Sequence, residues 1–219
     1  MKVKITLFLI LFSICLLADE SPPSEIVGFV EFELSQTETT DLNFISIPLT
    51  TDFTMASELG DAIEGCNTVS RWNASNQSWD TASYVPSLGW GGDFLLESGQ
   101  AYMINVTQDS EYSFAGSLFP APSYNLVTTI GTNLNTIMVP MNRSDLQLAS
   151  ELGEDIGVCE GISEWLVDNQ QWNTASDLGF MWGNNFPIEI SYPLIINVTT
   201  DIVWPAAGRN SLTKGEVLK

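Results

Sequence analysis

The sequence predicts a mainly β, α+β protein: two tandem homologous β-rich units, each a mostly antiparallel sheet with one short helix. Three observations carry this reading. Ala56-Ser57-Glu58-Leu59-Gly60 through Trp79-Asp80-Thr81-Ala82-Ser83 returns as Ala149-Ser150-Glu151-Leu152-Gly153 through Trp172-Asn173-Thr174-Ala175-Ser176, at a constant offset of 93 positions. The same offset pairs Ile63 with Ile156, Cys66 with Cys159, Val69 with Ile162 and Trp72 with Trp165. Most other apolar residues fall in short alternating or β-branched runs, the pattern of strands. Each copy holds a single apolar stripe at helical spacing.

Taken in order, Lys2 and Lys4 precede an apolar run from Ile5 to Leu17, and Ala18 is followed at once by Asp19-Glu20. This is the layout of a secretory signal peptide, because about 13 apolar residues are too few for a bilayer that needs roughly 20. Residues 1–18 are thus expected to form a leader, 19–25 a spacer, 26–116 and 117–208 the two repeats, and 209–219 a polar tail. No later stretch is apolar enough to cross a membrane, so a secreted or cell-surface protein without an integral membrane segment is expected.

In the first repeat, Val30, Phe32 and Leu34 alternate with Glu31 and Glu33, a half-buried strand. Asn43 to Leu49 predicts a buried strand with Pro48, which lacks an amide proton, at its end; its copy is Asn135 to Met141, at offset 92. Met55, Leu59, Ala62 and Ile63, and in the copy Leu148, Leu152 and Ile156, make the helix stripe. Asp52 and Asp145 are placed to cap the helix starts, Gly65 and Gly157 to stop the helices. Thr68 to Trp72 and Gln77 to Thr81 predict a hairpin turning at Ala74-Ser75-Asn76, copied by Ile162 to Trp165 and Gln171 to Thr174. The offset drops to 92 between Ser83 and Trp90, which predicts an exposed loop, since deletions are best tolerated at the surface. Each unit then closes as a strand pair, Ala101 to Thr107 with Glu111 to Gly116 and Pro193 to Thr199 with Ile202 to Gly208.

Composition narrows the function. With 7 basic and 27 acidic residues the net charge is −20, and removal of a leader that holds Lys2 and Lys4 but no acid makes it −22. Such a surface repels phosphate backbones and anionic lipid, so nucleic acid is not an expected partner. It attracts cations, calcium among them, but no calcium motif is present and no cofactor or metal is expected. There is no histidine, which removes His-dependent triads and His metal sites. Paired carboxylates hydrolyse glycosides, yet Glu58 matches Glu151, Glu97 matches Glu189 and Asp109 matches Asp201. Residues present in both copies belong more readily to the unit's architecture than to one active site, so no catalytic residue and no enzyme activity are expected.

Six of the seven tryptophans pair between copies: Trp72 with Trp165, Trp79 with Trp172, Trp90 with Trp182. Each pair is either core, burying about 150–250 Å² per ring, or a platform on which sugars stack. Core is favoured for Trp72 and Trp79. Trp90 and Trp182 stand beside glycines in a loop, and with Asp93 and Asn185 they form the candidate ligand-binding set. Cys66 and Cys159 occupy equivalent positions, and an extracellular setting makes a disulfide between them a candidate. Bridging needs Cα atoms within about 7 Å, which equivalent sites reach only if the units meet about a two-fold; buried thiols or a bond to another chain are the alternatives. Asn73, Asn76, Asn105, Asn142 and Asn197 head Asn-x-Ser/Thr triplets and are candidate glycosylation sites.

The succession Asn43 to Leu49, Ala56 to Leu59, Val69 to Trp72, Trp79-Asp80, Gly91 to Phe94, Tyr102 to Thr107 and Tyr112 to Gly116 resembles a tandem repeat of secreted and cell-surface proteins of bacteria and archaea. The second copy departs from it, with Leu194 for Tyr102 and Ser191 for Gly99. The resemblance implies a surface or extracellular structural role and carries over no catalytic residue. The expected function is therefore that of a non-catalytic matrix, filament or surface-layer component. Its expected partners are copies of itself or other surface proteins, joined through the strand carrying Gly28, Val30, Phe32 and Leu34 or through the tail. The alternative is a carbohydrate-binding adhesion module, with glycans as partners, built on the loop tryptophans.

Overall fold

The computed structural model describes residues 27–37, 40–119 and 122–206; the expected leader, spacer and polar tail lie outside them. Unit 1 runs β1 (Val27–Leu34), β2 (Leu42–Ser46), α1 (Ala56–Ala62), β3 (Cys66–Asn73), β4 (Ser78–Val85), β5 (Gly89–Gly91), β6 (Ala101–Val106) and β7 (Ser110–Ser117). Unit 2 repeats that order as β8 (Tyr124–Leu126), β9 (Leu134–Met138), α2 (Ala149–Ile156), β10 (Cys159–Leu166), β11 (Gln171–Asp177), β12 (Trp182–Gly183), β13 (Pro193–Val198) and β14 (Ile202–Trp204). Each unit has a five-stranded antiparallel sheet, β2-β6-β3-β4-β5 or β9-β13-β10-β11-β12, and a two-stranded ribbon, β1-β7 or β8-β14. The protein is mainly β, with two similar units and one short helix in each.

Strand alternation decides what each sheet buries. On one face Ile45, Tyr102, Ile104, Val69 and Ala82 pack under Leu59 of α1 and its C-cap Ile63 and under Leu34 and Phe114 of the ribbon. The copy packs Ile137, Leu194, Ile196, Ile162 and Ala175 under Leu152, Ile156, Leu126 and Trp204. A helix of seven residues is too short to persist alone in water, so burial of its apolar stripe holds it. That stripe is Ala56, Leu59 and Gly60 of α1 with its C-cap Ile63, all buried, while Ala62 is exposed.

Three further expectations are corrected. The residues after β6 do not fold back on it; β7 crosses to β1 and pairs Val30 with Phe114, Phe32 with Tyr112 and Leu34 with Ser110. Asp52 and Asp145 do not cap the helices. The carboxylate of Glu58 instead accepts the amides of Thr54 and Met55 at 2.6 and 3.0 Å, and Glu151 accepts those of Gln147 and Leu148 at 2.7 and 3.1 Å. Asp145 is taken up by Arg143, at 2.9 Å. Finally, Trp72 and Trp79 are not in the unit's own core. They form an edge-to-face pair at 5.3 Å on the opposite sheet face, as Trp165 and Trp172 do at 5.0 Å.

Those opposite faces meet. Phe44, Ala101 and Met103 of unit 1 pack with Ile195 of unit 2, flanked by Leu42, Leu134 and Trp165, and the Phe44 ring meets Trp172 edge-on at 5.5 Å. The polar contacts are reciprocal. Trp72 Nε1 donates to Leu134 O at 2.7 Å, and Trp165 Nε1 donates to Leu42 O at 2.8 Å. Leu42 and Leu134 are equivalent positions, so the units are related by a pseudo-two-fold, the geometry of an isologous dimer built within one chain.

Candidate functional site

Two surfaces follow from this arrangement: the loop beside each helix and the seam between the units. The loop carries the candidate ligand-binding residues. Trp90 lies half-buried across Gly60, so closely that a methyl group there would stand 2.2 Å from the ring, and Trp182 lies across Gly153, where the distance is 2.1 Å. Trp90 Nε1 donates to Asp61 at 2.7 Å. Asp93 accepts Ser57 N at 3.0 Å and Ser57 Oγ at 2.6 Å, and Asn185 accepts Ser150 N at 2.9 Å and donates to Ser150 Oγ at 2.8 Å. Burial alone would push the Asp93 carboxyl up, but the hydrogen bonds from Ser57 and Phe94 outweigh it and hold the group below the ordinary range. The structure thus brings Asp93 and Asn185 to the helix starts, where each accepts a first-turn amide, and lays Trp90 and Trp182 across the fifth residue of each helix.

The cysteines do not approach each other as a disulfide. Cys66 and Cys159 are free thiols, each donating to a backbone carbonyl of its own strand, Thr68 O and Gly161 O, at 3.4 Å. A pseudo-two-fold does relate the units, but it runs through the outer sheet faces, whereas both thiols pack against the inner cores. Burial pushes each thiol up to about 12 from its ordinary 9.0. The unfolded chain therefore releases these protons first, so the stability they contribute is full below pH 9 and falls as pH rises toward 12. Native protein lacking residues 1–18 is expected to leave the buried Cys159 unmodified by Ellman's reagent at pH 8 and to label the half-buried Cys66 slowly, with two thiols reacting after unfolding in guanidinium; rapid labelling of two thiols in the native form would contradict this burial.

The candidate assembly strand is occupied inside the chain. Gly28, Val30, Phe32 and Leu34 face Gly116, Phe114, Tyr112 and Ser110 of β7. The second edge of β1 has no strand partner among the described residues. Of the candidate glycosylation residues, Asn76 is exposed in the β3–β4 turn, whereas Asn73, Asn105, Asn142 and Asn197 are half-buried. Among the described residues no three His, Cys, Asp or Glu side chains cluster as a metal site, and no helix is long and apolar enough to cross a membrane.

The seam has a device that sequence reasoning missed. Gln77 and Gln170, each following a hairpin turn, hold left-handed backbone angles, φ +53 and +49, a conformation that favours Gly or Asn. Their side chains cross to the other unit. Gln77 Oε1 accepts Leu134 N at 2.9 Å and Thr132 Oγ1 at 2.7 Å, while its Nε2 donates to Leu134 O at 3.0 Å. Gln170 Oε1 accepts Leu42 N at 2.8 Å and the hydroxyl of Thr40, and its Nε2 donates to Leu42 O at 3.0 Å. Each glutamine thus pairs like one more strand residue with the opposite sheet. The available signal was a glutamine repeated at offset 93 where turn chemistry asks for glycine.

No family model, curated protein or solved structure matches the chain. The cores and loops engage their acids and thiols in caps, ion pairs and buried hydrogen bonds, and the seam locks both units into one body.

Proposed function

We propose that the chain is a non-catalytic structural component acting outside the cell, a subunit of a matrix, filament or surface layer that joins copies of itself. The observation that carries this reading is the β1–β7 ribbon. It extends over eight residue pairs in unit 1, whereas its counterpart in unit 2 has three. The extra length is not needed to close the unit, since the shorter ribbon closes its twin. Its outer edge, without a strand partner among the described residues, offers main-chain donors and acceptors to a further strand, and Phe29, 66% exposed, stands on its outward face. An eight-residue strand with no second strand partner among the described residues is suited to strand-to-strand association.

The test is size-exclusion chromatography with light scattering, across concentration and with and without calcium. Mass rising with concentration is expected. Phe29→Lys, which places a charge on the edge, is expected to abolish association and leave Tm within about 2 °C, the effect of an ordinary surface change. A monomer at every concentration would overturn the assembly reading.

A further inference from the structure

One place along the seam breaks the pseudo-symmetry. In unit 1 a cavity of about 230 Å³ is lined by Arg71, Trp72, Asn73, Glu97 and Gln100 and, from unit 2, by Thr136. The position of Arg71 is taken in unit 2 by Glu164, Asn73 by Leu166, Gln100 by Tyr192, and Thr136 by Phe44 of unit 1. There the twin space is filled. The Tyr192 hydroxyl donates to the buried Glu164 at 2.9 Å, and Phe44, 8% exposed, closes against Trp172. The packing of the repeat does not require a cavity, because the same unit closes it elsewhere with two rings.

We propose that this cavity binds a neutral, hydroxyl-rich ligand the size of one sugar residue. The wall offers donors and acceptors together. Arg71 spends Nε on Asp80 at 3.2 Å and Nη1 on Leu95 O at 3.3 Å, which leaves Nη2 without an acceptor among the described residues. Asn73 donates to Asp80 at 3.3 Å, leaving its carbonyl oxygen available. Glu97, Gln100 and Thr136 add polar side chains, and the Trp72 indole supplies the apolar side. Hydroxyl groups both donate and accept, so they match such a mixed lining.

Charge selects against anions. Arg71 is already neutralised by Asp80, Glu97 adds a negative charge, and the chain as a whole carries −20, so an anionic ligand is repelled. Size selects a small one, since drug-sized sites span roughly 300–1,000 Å³. The site is separate from the β1 edge and does not depend on the assembly reading.

Glucose, galactose, mannose and N-acetylglucosamine, each titrated into the purified protein by calorimetry and tryptophan fluorescence, are the probes. Glucuronate, glutamate and inorganic phosphate are the charge controls. At least one neutral sugar is expected to bind with Kd below about 10 mM. Gln100→Tyr with Thr136→Phe, which copies the closed site, is expected to weaken that binding at least tenfold. Asn73→Leu, copying Leu166, is a second variant that changes the wall without adding a ring, and it is expected to do the same. Binding unchanged in a folded filled variant, binding of the charged controls only, or no binding of any neutral sugar would each overturn the proposal.

Discussion

Gly60→Ala and Gly153→Ala are expected to destabilise the protein, although alanine is the better helix former by about 1 kcal/mol. In both helices the added Cβ would stand 2.1–2.3 Å from two atoms of a tryptophan ring, far inside any real contact. Overpacking of this kind costs about 1–3 kcal/mol. The two sites lie in separate units, so their effects add, and the double variant is expected to lose on the order of 4 kcal/mol. Trp90→Ala and Trp182→Ala are each expected to cost about 2–4 kcal/mol, somewhat less than a fully buried aromatic, because both rings are half-exposed. The decisive comparison is a cycle read by urea unfolding. Once Trp90 is alanine, Gly60→Ala is expected to become stabilising, since only helix propensity remains. Loss of stability in both backgrounds would place the role of Gly60 elsewhere.

Gln77→Gly together with Gln170→Gly is expected to lower stability even though it relieves two left-handed residues. On turn chemistry alone glycine gains about 1 kcal/mol at each site. Against that, each substitution strips the N–H of Leu42 or Leu134 of its glutamine acceptor, while the carbonyls keep the indole donors of Trp165 and Trp72, and an unpaired group of this kind costs about 1–3 kcal/mol. The crossing bonds win, and the net loss in the double variant is expected to be on the order of 2 kcal/mol, about 4–8 °C in Tm for a chain of this length. A gain in Tm would mean that the glutamines serve only the turn.

What the sequence made legible was local. The offset of 93, the strand alternation at Val30, Phe32 and Leu34, the stripe of Leu59 and Ile63 and the exposed loop before Trp90 all rest on neighbours in the chain, and the structure keeps each of them. Phe180, 84% exposed, and Leu88, likewise 84%, mark that loop in the two copies. What was not legible depended on distant partners. β7 pairs with β1 across some eighty residues, and no local signal distinguishes that from a hairpin with β6. Asp52 and Asp145 were plausible caps by position, but Glu58 and Glu151, three residues past the N-cap, reach back first.

The tryptophans show the same limit. A repeated aromatic tells that a unit needs a large ring, not on which sheet face it lies. Trp72 and Trp165 serve the seam, and Trp90 and Trp182 serve helix glycines that had been legible only as part of a motif. Ser191 keeps φ +66 where the first copy has Gly99 at φ +83; its carbonyl accepts Ser46 Oγ across the seam at 2.6 Å, so the strained backbone is held by the partner unit. The candidate sugar site was invisible because it exists through a difference between copies, Gln100 against Tyr192 and Thr136 against Phe44, and not through a motif.

The reciprocal clasp is tested most directly by cutting the chain between the units. A protease site inserted between Phe119 and Pro122, cleaved to completion under native conditions, leaves the halves joined only by the seam. The two halves are expected to elute together from a sizing column at micromolar concentration, and to separate once Gln77 and Gln170 are both glycine. Halves that part immediately after cleavage of the unmodified seam would contradict the single locked body.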